Sequence, residues 1–115
     1  MPYDRGDVVL VLFPDSNLRT AKRRPALVVQ RDSLNAGLPQ VIVAMISSNM
    51  ARAGHPSRVT VLQGSTEGRQ MGLHNDSVIM TDNLATVLEN EIDRVIGHCP
   101  VIPAVDQALR HTLGL

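Results

Sequence analysis

Hydrophobic residues along the chain fall into short runs separated by turn-forming residues. The first run, residues 8–13, is six residues long and rich in β-branched side chains, which is too short for a helix and typical of a strand buried on both faces. It predicts a strand at 7–13, and similar runs predict strands at 25–30 and 41–46. Weaker patterns predict strands at 58–62, 77–81 and 93–97, with polar loops at 47–57 and 63–75.

The end of the chain has a different pattern. Pro103 suits the first turn of a helix, and Gly114 suits the position just after one. Between them Val105, Ala108 and Leu109 would lie on one side, which predicts a helix at 103–113. No internal repeat or linker divides the 115 residues, so we expect one mainly β domain, a small β barrel or sheet with a C-terminal helix.

The second and third predicted strands define a specific pairing. If they form an antiparallel hairpin centred on residues 31–40, paired residue numbers sum to 71, so that Gln30 faces Val41 and Arg24 faces Ser47. Pro25 lacks an N–H and is expected at the first residue of its strand. A guanidinium would then lie beside a hydroxyl at the end of the sheet. An arginine and polar residues that merely cap a strand end would fit the same pattern.

The composition favours a β-rich, folded protein. The chain has 14 Val and 6 Ile but one Phe, one Tyr and no Trp, and 43% of its residues are hydrophobic. Its longest apolar run is far shorter than the ~20 residues that span a bilayer, and no signal pattern opens the chain, so we expect a cytoplasmic protein. Cys99 has no second cysteine to pair with and is expected to be buried. His98 and Cys99 would point to opposite faces of a strand, so no metal site is expected.

Charge is unevenly distributed, although 11 basic and 11 acidic residues balance. Residues 1–69 hold nine Lys or Arg and five Asp or Glu, whereas residues 70–115 hold two and six. Ten of the basic residues are arginine, whose planar donor groups match phosphate. The densest basic segment contains Arg19, Lys22, Arg23 and Arg24. Both a solvated basic loop and a phosphate-binding segment fit this pattern.

Four blocks in order along the chain carry a resemblance to a known family. They are residues 5–14 (RGDVVLVLFP), 23–29 (RRPALVV), 41–49 (VIVAMISSN) and 72–79 (GLHNDSVI). Over about residues 4–98 the chain resembles the MazF/PemK family of bacterial toxin endoribonucleases. No single block is unusual, but their order and spacing are specific.

The resemblance implies a fold, an activity and partners. The fold would be an SH3-like β barrel with a C-terminal helix, forming a homodimer. The activity would be sequence-specific cleavage of single-stranded RNA without a metal or cofactor, by attack of a ribose 2′-OH to leave a 2′,3′-cyclic phosphate and a 5′-OH. As the toxin of a type II toxin–antitoxin system, the protein would inhibit translation. An antitoxin with an acidic, apolar tail would occupy the substrate groove.

The resemblance also implies catalytic residues. Arg24 matches the Arg-Pro position of the family and would clamp the phosphate and stabilise the transition state. Ser47 stands where many members have threonine, and its hydroxyl would contact the phosphate or the 2′-OH. Some relatives use an Arg and an Asp two residues apart, for which this chain has Met80 and Asp82. Asp82 is therefore a candidate general base or contact to an RNA base, while Ala85 replaces another arginine usual in the family.

Further residues are candidates for RNA binding. The 14–22 loop would close over RNA, with Arg19, Lys22 and Arg23 contacting phosphates. The side chains expected to contact bases or the sugar–phosphate chain are Asn17, Gln30, Ser48, Asn49 and His74. Asp76 is expected to be structural, accepting hydrogen bonds from loop backbone N–H groups. With few aromatic side chains, recognition would rely on hydrogen bonds and charge.

Three alternatives stay open at the level of the sequence. His55 and His74 could act as an acid–base pair of a different kind of ribonuclease, although both lie in predicted loops. A toxin of the CcdB type, which poisons DNA gyrase by binding it, would share the fold, but such proteins carry an aromatic residue near the C-terminus that is missing here. A family member that binds RNA or antitoxin without cutting is favoured by Met80 and Ala85.

Overall fold

The computed structural model describes residues 3–14, 19 and 21–115. Six strands form one antiparallel sheet in the order β4-β5-β3-β2-β1-β6. The strands are β1 (Asp7–Pro14), β2 (Ala21–Val28), β3 (Gln40–Ser47), β4 (Arg58–Val61), β5 (Ser77–Leu88) and β6 (Ile92–His98). The α-helices are α1 (Thr66–Gln70) and α2 (Ile102–Leu113), and short 3₁₀ helices, η1 and η2, span Met50–Arg52 and Glu89–Glu91.

The connection between β5 and β6 shows that the sheet curls. In the sheet these strands are separated by β3, β2 and β1, a distance of roughly 19 Å if the sheet were flat. In the chain they are joined by η2 alone, which advances roughly 6 Å over its three residues. The sheet must therefore bend round until its two sides approach each other, which is the geometry of a small barrel.

Both faces of the central strands are buried, as expected for the first hydrophobic run. One core cluster includes Val8 and Leu27 and extends to Val105 of α2. The other includes Val9 and Val11 and draws its buried members from strands alone. Because neighbouring residues of a strand point to opposite faces, Val8 and Val9 enter different clusters. A core of small branched side chains thus fills the barrel and the space beneath α2.

The predicted mainly β fold with a C-terminal helix is confirmed, with three differences in the elements. Strand β2 begins at Ala21 rather than at Pro25, β5 continues to Leu88, and α1 lies within the predicted 63–75 loop. Pro25 is inside a strand because β3 pairs only with Ala26–Val28, so Pro25 has a paired neighbour on the β1 side alone. Most of the predicted 14–22 loop lies outside the described residues.

The first block of the family resemblance has a structural role. The Arg5 guanidinium contacts Asp106 of α2 at 2.6 Å and donates to the Val29 carbonyl at 3.0 Å, while its backbone N–H donates to Asp32 at 2.7 Å. Arg5 therefore joins the start of β1 to α2 and to the end of β2.

Two further expectations from the sequence concern Asp76 and Cys99. Asp76 accepts a hydrogen bond from the Gln63 backbone N–H at 2.9 Å, so its predicted structural role is confirmed. Cys99 is buried, as predicted, and burial raises the pKa of its thiol. No helix in the described part of the chain has the length and apolar character needed to cross a bilayer.

Candidate active site

A groove of about 500 Å³ opens at the end of the sheet where β2 and β3 separate. One wall consists of residues 22–25 of β2, and the facing wall consists of residues 46–49 with Arg52 of η1. Residues 72–75 and Ser77, at the start of β5, close a third side, and Leu10 and Ile96 add apolar surface. Five of the six strands, or the segments next to them, thus contribute to the groove.

The register of β2 and β3 explains why Arg24 and Ser47 face this groove. The pairs Ala26 with Met45, Leu27 with Ala44 and Val28 with Val43 all sum to 71, as the hairpin arithmetic predicted. Extending that register by two residues places Arg24 opposite Ser47. Both line the groove, beyond the last ladder pair, where the two strands no longer hydrogen-bond to each other. An exposed guanidinium and a hydroxyl therefore share one opening.

Local hydrogen bonds fix the β3 side of the groove. The Ser47 Oγ accepts from the Asn49 backbone N–H at 3.1 Å, which leaves the hydroxyl proton available to a ligand. Asn49 is the N-cap of η1, and its side-chain oxygen accepts from the Ala51 N–H at 3.1 Å. This cap uses the oxygen of the Asn49 amide and not its NH₂ group. Ser48 also lines the groove, because β3 ends at Ser47 and strand alternation does not continue past it.

The groove has a strongly positive lining. Lys22, Arg23, Arg24 and Arg52 all contribute to it, and among its described lining residues none is Asp or Glu. Arg23 lies 3.6 Å from a carboxylate oxygen of Asp93, which is outside the lining, and the arginine is largely exposed. A concave surface with four cations and no carboxylate among its described lining residues attracts an anion, because Asp93 offsets only part of the charge.

The structure brings most of the predicted site residues together. The predicted residues that line the groove are Arg24, Ser47, Lys22, Arg23, Ser48, Asn49 and His74. Arg19 is exposed and outside the lining, and Asn17 lies outside the described residues. Gln30 is not brought to the groove: it is buried at the other end of the hairpin, where its side-chain oxygen accepts from the Ile42 N–H at 3.1 Å. Its amide is thus used inside the protein rather than offered to a base.

Asp82 is also absent from the groove. Its carboxylate is held by the Arg58 guanidinium, with oxygen–nitrogen distances of 2.8 and 3.4 Å. The hydrogen bond from Arg58 holds the pKa of Asp82 below its ordinary value, and the same bond raises the pKa of Arg58. A carboxylate whose two oxygens are occupied and whose pKa is lowered is a weak proton acceptor, so this geometry does not favour the expected role as a general base.

The two-histidine alternative finds no support in the geometry. His74 lines the groove, but His55 lies beside His111 of α2, with ring centroids 6.1 Å apart. The Nδ1 atom of His55 accepts from the Ser57 N–H at 3.0 Å. His55 is therefore part of the contact between α2 and the start of β4.

Arg52 is a groove residue that the sequence analysis did not single out. It lies in the segment assigned as a polar loop, three positions after Asn49. The signal that would have found it is the Asn-capped turn directly after the predicted strand end, which directs the next basic side chain back toward the groove. In the described part of the chain, no three His, Cys, Asp or Glu side chains come together as metal ligands would.

With the groove described, comparison with known proteins defines the family. The model of the PemK-like, MazF-like toxins of type II toxin–antitoxin systems matches residues 4–113. The chain belongs to this toxin family. The resemblance found in the sequence blocks is thereby confirmed, and it extends through α2.

Two relatives of this toxin carry the word endoribonuclease in their names. Endoribonuclease MazF6 of Mycobacterium tuberculosis is 36% identical over 107 residues, which cover 90% of each chain. Endoribonuclease EndoA of Bacillus subtilis is 31% identical over 118 residues, covering 100% of this chain and 97% of EndoA. The prediction of an enzyme of the endoribonuclease class agrees with both names.

A solved mycobacterial structure has the same fold. That structure, an endoribonuclease in complex with its cognate antitoxin, superimposes with a TM-score of 0.75 at 20% identity and covers 98% of this chain and 96% of its own. At this identity the likeness concerns the fold.

Proposed function

We propose that this toxin is a metal-independent endoribonuclease that cuts single-stranded RNA at the groove holding Arg24 and Ser47. The observation that carries the proposal is that these two side chains share an opening with three further cations and no carboxylate among its described lining residues. A phosphodiester is the anion that such a lining suits, and a guanidinium can donate to two of its oxygens at once. Family membership and the names of the relatives support the same activity.

The proposed reaction is an internal transfer within the RNA. The 2′-OH gives its proton to solvent water, its oxygen bonds to the adjacent phosphorus, and the bond from phosphorus to the 5′-oxygen breaks. The 5′-oxygen takes a proton from solvent, which leaves a 2′,3′-cyclic phosphate and a 5′-OH. Arg24 stabilises the extra negative charge that develops on the phosphate oxygens, and the Ser47 hydroxyl donates to the phosphate or orients the 2′-OH. None of these steps requires a redox change or an added co-reactant.

The remaining lining residues provide binding rather than chemistry. Lys22 and Arg23 contact the phosphates on either side of the cut, since they lie on the same wall as Arg24. Ser48, Asn49 and His74 supply hydrogen-bond donors and acceptors for base edges. In this proposal they, and the 14–22 loop with Arg19 and Asn17, determine which RNA sequence is cut.

The same groove would bind the tail of an antitoxin. Its lining combines the cations with apolar surface from Leu10, Ile46, Leu73 and Ile96. An extended segment with acidic and apolar side chains complements both features and would exclude RNA by occupying its site. A toxin of this kind would cleave mRNA in the cytoplasm and thereby stop translation.

Electrophoresis of cleaved RNA tests this function directly. The purified protein is incubated with a long mixed-sequence RNA in EDTA, and the ends of the products are sequenced and tested for a cyclic phosphate. We expect discrete cuts that EDTA does not prevent. Intact RNA would favour a family member that binds without cutting, and cleavage abolished by EDTA would contradict the metal-independent mechanism.

A further inference from the structure

Two contacts hold Arg52 beside the groove, one to its side chain and one to its backbone. Its guanidinium Nη1 lies 3.5 Å from the Met80 sulfur, a weak hydrogen-bond acceptor, and Met80 is buried in β5. Its backbone carbonyl accepts from Arg58 Nη1 at 3.1 Å. Arg52 lines the groove, and no carboxylate among the described residues forms an ion pair with it.

Asp82 and Arg58 form the support behind this arrangement. The Nε and Nη2 atoms of Arg58 contact the two oxygens of Asp82, which leaves Nη1 to hold the Arg52 carbonyl. All three nitrogens of the planar guanidinium are thereby engaged in fixed directions. The other end of η1 is fixed by the Asn49 cap and its bond to Ser47.

Met80 supports the Arg52 side chain from β5. Its thioether carries no charge, so it contacts the guanidinium of Arg52 without neutralising it. Arg52 therefore keeps its positive charge where it lines the groove.

We propose that Arg52 holds a phosphate of the bound RNA from the wall opposite Arg24, and that the Asp82–Arg58 pair positions it. This inference rests on the proposed function, since it assigns a further residue to the same groove. Arg52 is a substrate-binding residue in this scheme. Asp82 and Arg58 are positioning residues that act through the Arg52 backbone and do not touch RNA.

The experiment measures RNA binding separately from cleavage. A mixed-sequence single-stranded RNA with 2′-O-methyl groups lacks the attacking hydroxyl, so its affinity can be measured by fluorescence anisotropy from about 50 to 300 mM salt. Each phosphate neutralised by the protein contributes roughly 0.7 to the slope of log affinity against log salt for a single strand. Arg52→Gln should reduce the slope by about that amount and weaken binding roughly tenfold at the lowest salt.

Two comparisons make the result specific. Arg31→Gln removes an exposed arginine from the 31–40 connection, at the other end of the hairpin, and should leave the slope at the wild-type value. Asp82→Asn should reduce the slope in the wild-type protein but have no further effect when combined with Arg52→Gln, because its influence passes through Arg52.

The outcomes separate this inference from the proposed function. An Arg52→Gln slope equal to that of Arg31→Gln overturns the phosphate contact, even if the wild type cuts RNA in EDTA. An Asp82→Asn effect of equal size in the presence and absence of Arg52 overturns the positioning role. If the wild type binds the methylated RNA but fails to cut unmodified RNA, the proposed catalysis fails, and the slopes still decide the role of Arg52.

Discussion

At the scale of single residues, Arg24 lies in β2 beyond the last pair that β2 makes with β3 and is exposed on a polar groove, so its side chain contributes little to the core. Arg24→Ala should therefore stay folded and lose cleavage by on the order of 10²–10³-fold, the effect of removing one donor to a developing oxyanion. Arg24→Lys should not restore the rate, because a single ammonium cannot donate to two phosphate oxygens in one plane. Initial cleavage rates with folding checked by circular dichroism measure this. A folded Arg24→Ala protein within about fivefold of wild type would contradict the assignment.

Ser47 permits a finer test of the hydroxyl. Ser47→Ala should lower the cleavage rate, whereas Ser47→Thr keeps the hydroxyl, stiffens the side chain and should cut at least as fast as wild type. Ser48→Ala is the matched control, because Ser48 also lines the groove but does not lie opposite Arg24 in the hairpin register. A larger loss for Ser48→Ala than for Ser47→Ala in the same rate assay would mean that the catalytic hydroxyl has been misassigned.

The sequence predicts where a side chain lies when its position follows from strand register. It does not predict the position when this depends on the path of the chain after a strand ends. The sum of 71 placed Arg24 opposite Ser47 because antiparallel pairing converts sequence separation into distance. The burial of Gln30 depends on the hydrogen bond that its side-chain oxygen accepts from the Ile42 N–H. The position of Arg52 at the groove depends on the hydrogen bond that its carbonyl accepts from the Arg58 side chain. Both bonds lie outside the strand ladders. Such contacts have no periodic signal in the sequence.

At the scale of secondary-structure elements, the Asp82–Arg58 pair links β5 to β4 and should make stability depend on pH. Because the folded-state pKa of Asp82 is lowered, its contribution is present above the ordinary value of 3.8 and is lost as pH falls through the folded-state pKa. We expect Asp82→Asn to melt below wild type at pH 7, with a smaller difference at about pH 3, below the ordinary value of 3.8. Thermal unfolding at both pH values measures this, and Arg58→Gln should remove the effect of Asp82→Asn. A constant difference between the two proteins across that range would contradict the ion-pair explanation.

A second element-scale prediction concerns the contact between β6 and the end of α1. A Cβ at Gly97 would lie 2.4 Å from the Met71 backbone carbon, so any side chain would force two backbone segments apart. Gly97→Ala should lower the free energy of unfolding by about 3 kcal/mol. Gly64→Ala is the matched control, since a Cβ there meets nothing within 4 Å, and it should change stability by less than about 0.5 kcal/mol. Urea denaturation measures the stability of both variants. Equal midpoints for the two would contradict a steric clash at Gly97.

Most of the elements were predicted well from their hydrophobic patterns. The strands β1, β3, β4 and β6 and helix α2 agree with the predictions to within a residue or two at each end, although the patterns of β4 and β6 are weaker. The C-terminal half of β5 was missed because exposed and buried residues are mixed there, with a register shift between Ala44 and Met45 of its partner strand. Helix α1 has five residues and one buried position, Gly68, which is too little for a periodic signal.

At the scale of the whole molecule, several large apolar side chains on the strands are left exposed. They include Leu12 of β1, Leu84 and Leu88 of β5 and Val95 of β6, with exposures from 37% to 51%. A homodimer would cover part of this surface. We expect light scattering at micromolar concentration, without antitoxin, to give twice the mass of one chain. A mass of one chain under those conditions would contradict the dimer.

The pairing of the first strand with the last has a consequence for the protein during its own synthesis. Asp7 and His98, 91 positions apart, are partners in the β1–β6 ladder, and the groove uses Leu10 from one of these strands and Ile96 from the other. A nascent chain cannot complete this surface until β6 has been made, because contacts so distant along the chain form only after both partners exist. Under the proposed function, the messenger being translated would therefore be protected from its own product for as long as β6 is missing.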